Sequence, residues 1–303
     1  MSTSRILSKS SSSSQWLSRQ KRDPFVRSRT HSLLDSSSHS YVARSAFKLL
    51  ELHQSSLGGG RKPLVRKGMT IVDLGASPGG WIQACRTVVG TSSPGRRTGG
   101  AIGSSLRASS SSASPTRIIG LDLLPLDRSL DDLDDPIEFV QGDFLDPYIQ
   151  AQLSDLLGQD QVDLVLSDML NNQSGSPLRD SQRSIDLCRS ALQFAKKHLR
   201  VQRSPRGGEP GLKSCSESIQ LVIKCLQSDL AVELGQELRG CFSKVRWEKP
   251  KSSRAESREG YWVCLGFKGD GAGEGAGQEP TGKMNANAGK VDQEEEDGDG
   301  LYF

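Results

Sequence analysis

Short apolar runs recur along this chain with helix-period segments between them, and that alternation narrows its possible folds more than any other feature. The runs are MTIVDL (69–74), RIIGLD (117–122), IEFV (137–140), VDLVLS (162–167), IQLVIKCL (219–226), SKVRW (243–247) and GYWVCLGF (260–267). Helices are expected near 39–54, 79–90, 147–157, 180–200 and 228–240; within 180–200, Ile185, Cys188, Leu192, Ala195 and Leu199 keep helical spacing. Near-continuously apolar strands separated by helices predict a mainly parallel sheet covered on both faces. Ligands of such sheets sit beyond the carboxyl ends of the strands, near the point where strand order reverses.

Three kinds of segment fall outside this pattern. Segments 91–116 and 201–217 are Ser/Gly-rich and read as surface insertions between regular elements. Segment 270–303 carries nine carboxylates against two lysines, a charge of −7 in a Gly-rich stretch, and is expected to be disordered. With the whole chain at +3, segment 1–269 therefore carries +10, a balance that attracts polyanions. Segment 1–22 holds five Lys/Arg, many serines and no acid, which fits either an organellar transit peptide or a basic arm. No apolar run approaches the roughly 18 residues of a membrane span. The six cysteines are scattered without a C-x-x-C pair, which argues against a zinc ribbon and a disulfide framework.

The stretch IVDLGASPGGW (71–81) is a strand, an acid and a run of small residues opening a helix. Ser77 stands where a dinucleotide fingerprint needs its second glycine, and Trp81 follows Gly80 where a P-loop needs lysine. Pro78 removes one amide from any phosphate cradle. The loop suits close backbone approach to a nucleoside ligand without phosphates. Asp122 ends the second strand, where an acid can accept from both ribose hydroxyls. Once the insertion at 91–116 is set aside, its distance from Gly80 is near the roughly 20 residues expected of such an acid. Asp143 follows the third strand and can accept from an adenine amino group. A phosphate-free glycine loop with two acids is what S-adenosylmethionine requires.

Asp168 ends the fourth strand, and Lys224 sits in the middle of the apolar run LVIKCL. A buried lysine keeps its charge only beside a carboxylate, so Asp168 is its expected partner and the pair is a candidate acid/base group. On the helix at 39–54, Val42, Ala46, Leu49 and Leu50 form the expected sheet-facing side, with Tyr41, Arg44 and Lys48 opposite. That second side is either an ordinary solvated face or one that meets RNA, with a base stacked on Tyr41. Lys249, Lys251, Arg254 and Arg258 form a basic loop suited to phosphates, leading to Glu259.

Taken together, SAFKLLEL, VDLGASPGGW, GLDLLPLD, GDFLD, SDML…SG, VIKCLQ and SKVRWEKPKSSRAESREGYWV resemble the FtsJ-like (RrmJ-type) ribosomal RNA 2′-O-methyltransferases. The likeness runs from about Tyr41 to Phe267, apart from the two insertions. It implies a Rossmann-like, S-adenosylmethionine-dependent α/β fold whose seven-stranded, mainly parallel sheet has an antiparallel last strand and helices on both faces. It also implies a Lys48-Asp168-Lys224-Glu259 tetrad, with Glu256 close by, and cofactor contacts at Gly79, Gly80, Trp81, Asp122, Asp143 and Asp168. It implies no metal. Relatives often carry Ala-Pro where this chain has Leu170-Asn171-Asn172.

RSIDLC (183–188) and DPFVR (23–27) are most similar to the fungal mitochondrial large-subunit rRNA branch, which modifies a uridine. The domain plan expected from this is a transit peptide and linker over 1–35, the methyltransferase over 36–269, and the acidic tail over 270–303. The expected setting is the mitochondrial matrix, with a monomer acting on rRNA in a large-subunit particle. A tRNA-directed or cytosolic member of the family, or an idle rRNA-binding assembly factor, are the alternatives.

Overall fold

The computed structural model describes residues 41–57, 63–90, 115–130, 137–201 and 218–269. The transit-like start, most of both insertions and the acidic tail lie outside the described residues. In chain order the elements are α1 (Ser45–Ser56), β1 (Thr70–Leu74), α2 (Gly80–Val89), β2 (Arg117–Asp122), a 3-10 turn (Arg128–Leu130) and β3 (Glu138–Gln141). There follow α3 (Pro147–Leu157), β4 (Leu164–Ser167), α4 (Pro177–His198), β5 (Ile219–Leu226), α5 (Asp229–Cys241), β6 (Phe242–Glu248) and β7 (Glu259–Phe267).

The sheet runs β3-β2-β1-β4-β5-β7-β6. β1 to β5 are parallel, and β7 is inserted antiparallel between β5 and β6. The order reverses between β1 and β4, so the ends of those two strands, Leu74 and Ser167, face the crevice where ligands bind. Inserting β7 in reverse has a functional consequence. Its first residue, Glu259, is brought opposite Leu226 at the same edge as the carboxyl ends of the parallel strands.

Each face of the sheet has its own core. α1 and α2 cover one face, packing Ala46, Leu49, Leu52, Trp81 and Ile82 against Ile71, Leu166, Val222 and Tyr261. α3, α4 and α5 cover the other, packing Leu153, Ile185, Leu192 and Leu234 against Val72, Val165, Ile223 and Trp262. Because strand side chains alternate, Lys224 projects to the α1/α2 side with Val222, whereas Ile223 and Cys225 project to the other.

α1 starts at Ser45, later than its periodicity predicts. The Val42 amide donates to Gln83 Oε1 on α2 at 2.8 Å, and Tyr41 Oη to Thr87 Oγ1 at 3.3 Å, which holds 41–44 as a turn. Ala46 and Leu49 face the sheet as expected, while Val42 and Leu50 are only half-buried and Leu52 takes the inner place. β4 starts at Leu164 rather than Val162, which forms an isolated bridge with Leu199.

Candidate active site

Two ion pairs meet where α1, β4, β5 and β7 converge. Lys224 Nζ lies 3.1 Å from Asp168 Oδ1 and also donates to the Asp168 carbonyl. Lys48 Nζ lies 2.9 Å from Glu259 Oε2. Tyr261 joins the pairs: its hydroxyl donates to Asp168 Oδ1 at 2.8 Å, and Lys48 Nζ sits 5.9 Å from its ring centre. All four charged side chains are at most 21% exposed, so their charges act through a medium far less screening than water. Burial alone would raise the Glu259 carboxyl, but Lys48 and Lys224 outweigh it and hold Glu259 below its ordinary value. Burial, reinforced by Asp168, pushes the Tyr261 phenol well up and keeps it a neutral donor. Sequence reasoning missed Tyr261, although its place opposite Lys224 on the antiparallel neighbour would have found it once β7 was paired with β5.

The glycine loop after β1 is built for close approach. Gly75 has φ +84°, and a Cβ there would lie 2.8 Å from the Met169 nitrogen; Gly79 has φ +114°, and a Cβ there would overlap Leu130 Cδ1. Gly80 serves a different purpose, since its Cβ would collide with Ser45 Oγ, so it lets α2 press on α1. Trp81 is buried with its indole donating to the Ser45 carbonyl at 2.9 Å and its ring 5.8 Å from Tyr261. Only its main chain is left to a ligand. Asp122 braces the loop, taking the Ser77 amide on Oδ2 and the Leu124 amide on Oδ1, each at 2.9 Å. Asp143 is exposed beyond β3 and accepts from the Leu145 amide, while the neighbouring Asp146 caps α3.

Asp73 is the acid that opens the glycine loop, and no role is read for it from the sequence. It lies near the end of β1 at 1% exposure, and neither carboxylate oxygen has a hydrogen-bond partner among the described residues. Burial, then the nearby Asp168 and Asp122, push it well above its ordinary value. Its ionised form is thus held at a cost that a cation bound at the loop would relieve. S-adenosylmethionine, with an ammonium and a sulfonium centre, fits that need.

Beside the two pairs lies an open cavity of about 540 Å³, lined by Lys48, Glu259, Arg44, Arg254, Arg258 and Glu256, and by Gln173, Gly175 and Asp180 on its far wall. Asp180 fixes that wall, accepting from the Ser174 amide at 2.7 Å and the Gly175 amide at 3.1 Å. Tyr41 does not belong here. Its ring is 9% exposed and packs edge-on against Phe47 at 5.5 Å, so it is core rather than a stacking platform. Arg44, Arg254 and Arg258 line the cavity and Lys249 and Lys251 do not, and several of these cations have bonds within the protein. Arg44 donates to the Ser252 carbonyl, Lys249 Nζ to Ser257 O at 2.6 Å, and Arg258 Nη2 to Gln227 O and Ser181 Oγ at 2.8 Å. Lys251 is exposed on the loop's tip. Among the described residues there is no His/Cys/Asp/Glu group able to hold a metal.

Residues 41–267 match the family model of the FtsJ-like methyltransferases. Curated relatives include the ribosomal RNA large subunit methyltransferase E of Pseudomonas fluorescens, 32% identical over 263 residues, which span 87% of this chain and 99% of the relative. That of Pseudomonas paraeruginosa is 31% identical over 264 residues, spanning 87% and 100%. Among solved structures, a ribosomal RNA methyltransferase from Plasmodium falciparum superposes with a TM-score of 0.53 at 22% identity, covering 76% of this chain and 100% of that one, a likeness of fold. The match spans the whole described sheet, and the chain belongs to the FtsJ-like methyltransferases, which draw their methyl group from S-adenosylmethionine.

Proposed function

We propose that the protein methylates a ribose 2′-hydroxyl of large-subunit rRNA, most specifically a uridine of the mitochondrial ribosome. The observation that carries this reading is the Lys224–Asp168 pair standing beside Lys48–Glu259 at the edge of a cation-flanked cavity. When bound, S-adenosylmethionine supplies an electrophilic methyl group. Gly75 and Gly79 would give the backbone clearance to hold it, Asp122 and Asp143 would accept from its nucleoside, and Asp73 would answer its positive charge.

The chain's own residues then have three tasks. Lys224, held by Asp168, accepts or shares the proton of the acceptor hydroxyl as charge develops on its oxygen. Tyr261 fixes which Asp168 oxygen faces the lysine. Lys48 and Glu259 orient the ribose and Lys224, so that most of the rate gain comes from positioning. Crowding of cations supports a polyanionic substrate. Burial and the adjacent Arg254 hold the Arg44 guanidinium below its ordinary value, and a phosphate would relieve both.

The Arg/Ser-rich, acid-free segment 1–22 and the sequence likeness of RSIDLC and DPFVR support the mitochondrial setting. Mapping 2′-O-methylation across organellar and cytosolic RNA in a knockout tests substrate and compartment together. Loss at one uridine of mitochondrial large-subunit rRNA is expected. Loss confined to tRNA or cytosolic rRNA overturns the assignment.

A further inference from the structure

α1 presents two stripes. Ala46, Leu49, Leu52 and Ser56 are buried toward the sheet. The residues 44, 48, 51 and 55, at i, i+4, i+7 and i+11, form the second stripe, and each meets the stretch 248–259 that runs from the end of β6 to the start of β7. Arg44 donates to the Ser252 carbonyl, Lys48 pairs with Glu259, and Ser55 Oγ donates to Glu248 Oε2 at 2.7 Å. At the centre, Glu51 takes two consecutive loop amides, Lys251 N on Oε2 at 2.5 Å and Ser252 N on Oε1 at 3.0 Å. These amides lie at the tip of a tight turn closed by Ser253 N to Pro250 O at 3.0 Å, and Ser252 and Ser253 are buried there. Arg254, Ser257 and Arg258, which line the acceptor cavity, follow directly.

We infer that Glu51 is a positioning residue for RNA: its carboxylate anchors the turn at Lys251–Ser252 and so presets the basic loop that receives the substrate. The inference rests on the reading of the cavity as an RNA site. A carboxylate among Lys249, Lys251, Arg254 and Arg258 is, by charge alone, unfavourable to a polyanion. What justifies it is the pair of consecutive amides it satisfies, which fixes the turn whose Ser252 and Ser253 are buried. Ordering the loop before RNA arrives also removes part of the entropy that binding would otherwise have to overcome.

This role and a merely electrostatic one make opposite predictions, because Glu51→Gln loses the charge but keeps one of the two acceptor oxygens, whereas Glu51→Ala loses the charge and both oxygens. Alanine is a strong helix former, so α1 itself persists in the second variant. For Glu51→Ala, the KM for rRNA rises about tenfold or more with kcat within about threefold, the scale of losing hydrogen bonds to a charged group. For Glu51→Gln, KM rises less than in Glu51→Ala, whereas a purely electrostatic role would lower it in both. S-adenosylmethionine affinity is unchanged in both. Amide hydrogen exchange accelerates at both Lys251 and Ser252 in Glu51→Ala, and at one of the two in Glu51→Gln.

If both variants bind RNA more tightly than wild type, or if neither changes KM or loop exchange, Glu51 is a surface charge and the inference is wrong. A wild-type enzyme that methylates no RNA would instead refute the substrate reading. The exchange measurement, made without RNA, would still decide whether Glu51 anchors the loop.

Discussion

Replacing Lys224 by methionine keeps an unbranched apolar stem in β5 and removes only the ammonium, so two effects can be separated. The first is chemical. A positioned general base contributes on the order of 10²- to 10⁴-fold in rate, and Lys224 is the amine that Asp168 holds at 3.1 Å. Single-turnover methyl transfer at saturating RNA should therefore fall at least about 100-fold, while S-adenosylmethionine binding, which relies on the β1 loop, stays within about twofold. The second effect is structural. Removing one partner of a buried pair costs about 3–5 kcal/mol because the other charge is stranded. Asp168 keeps 14% of its side chain exposed and retains the Tyr261 hydroxyl, which places the loss near the lower end, about 3 kcal/mol. In a domain of this size that is a fall in Tm of roughly 6–12 °C. Adding Asp168→Asn to Lys224→Met removes the stranded charge and should recover part of that fall without restoring transfer. A Lys224→Met enzyme that transfers methyl groups within tenfold of wild type would refute the assignment of Lys224 as the proton acceptor.

Tyr261→Phe keeps the ring against Trp81 and deletes the hydroxyl that faces Asp168. It should cost about 1–3 kcal/mol in thermal unfolding and lower kcat more than it raises KM. Asp73→Asn removes a buried unpaired carboxylate, so the ligand-free protein should melt higher at neutral pH while S-adenosylmethionine, measured by calorimetry, binds more weakly. The sign follows from Asp73's raised value: the folded state holds its proton more firmly than the unfolded one, so stability falls as pH rises above about 3.8, and the variant loses that dependence. Glu259 behaves in the opposite sense. Its lowered value means the Lys48–Glu259 pair contributes fully above about pH 4.5 and is lost as pH falls through the lower folded value, so Glu259→Gln should flatten the acid limb of the stability curve.

The parts of this molecule legible from sequence were those that break a local pattern. A lysine in the middle of LVIKCL, an acid ending each of β1's neighbours and a glycine run that fails both phosphate fingerprints are anomalies within a few residues, and each points to chemistry. The parity of β5 then puts Lys224 on the face where Asp168 is found. What escaped depends on distant partners. Tyr41 looked like one end of a helical stripe, but a side chain on α2, Gln83, holds the Val42 amide and starts the helix later. Glu51 reads as a solvated residue on a polar face until a turn 200 positions away arrives against it. Asp73 passed as an ordinary strand residue because nothing in IVDLG reveals that both of its oxygens are sealed from water.

The central claim is that the acceptor is a ribose 2′-oxygen of large-subunit rRNA. Purified enzyme, given rRNA and S-adenosylmethionine labelled in the methyl group, tests it directly when the product is digested with alkali, because a 2′-O-methyl group protects the adjoining phosphodiester. Label recovered in an alkali-resistant dinucleotide, and none from Lys224→Met, is the predicted result. Label recovered on a base, or equal transfer by the variant, would contradict the account.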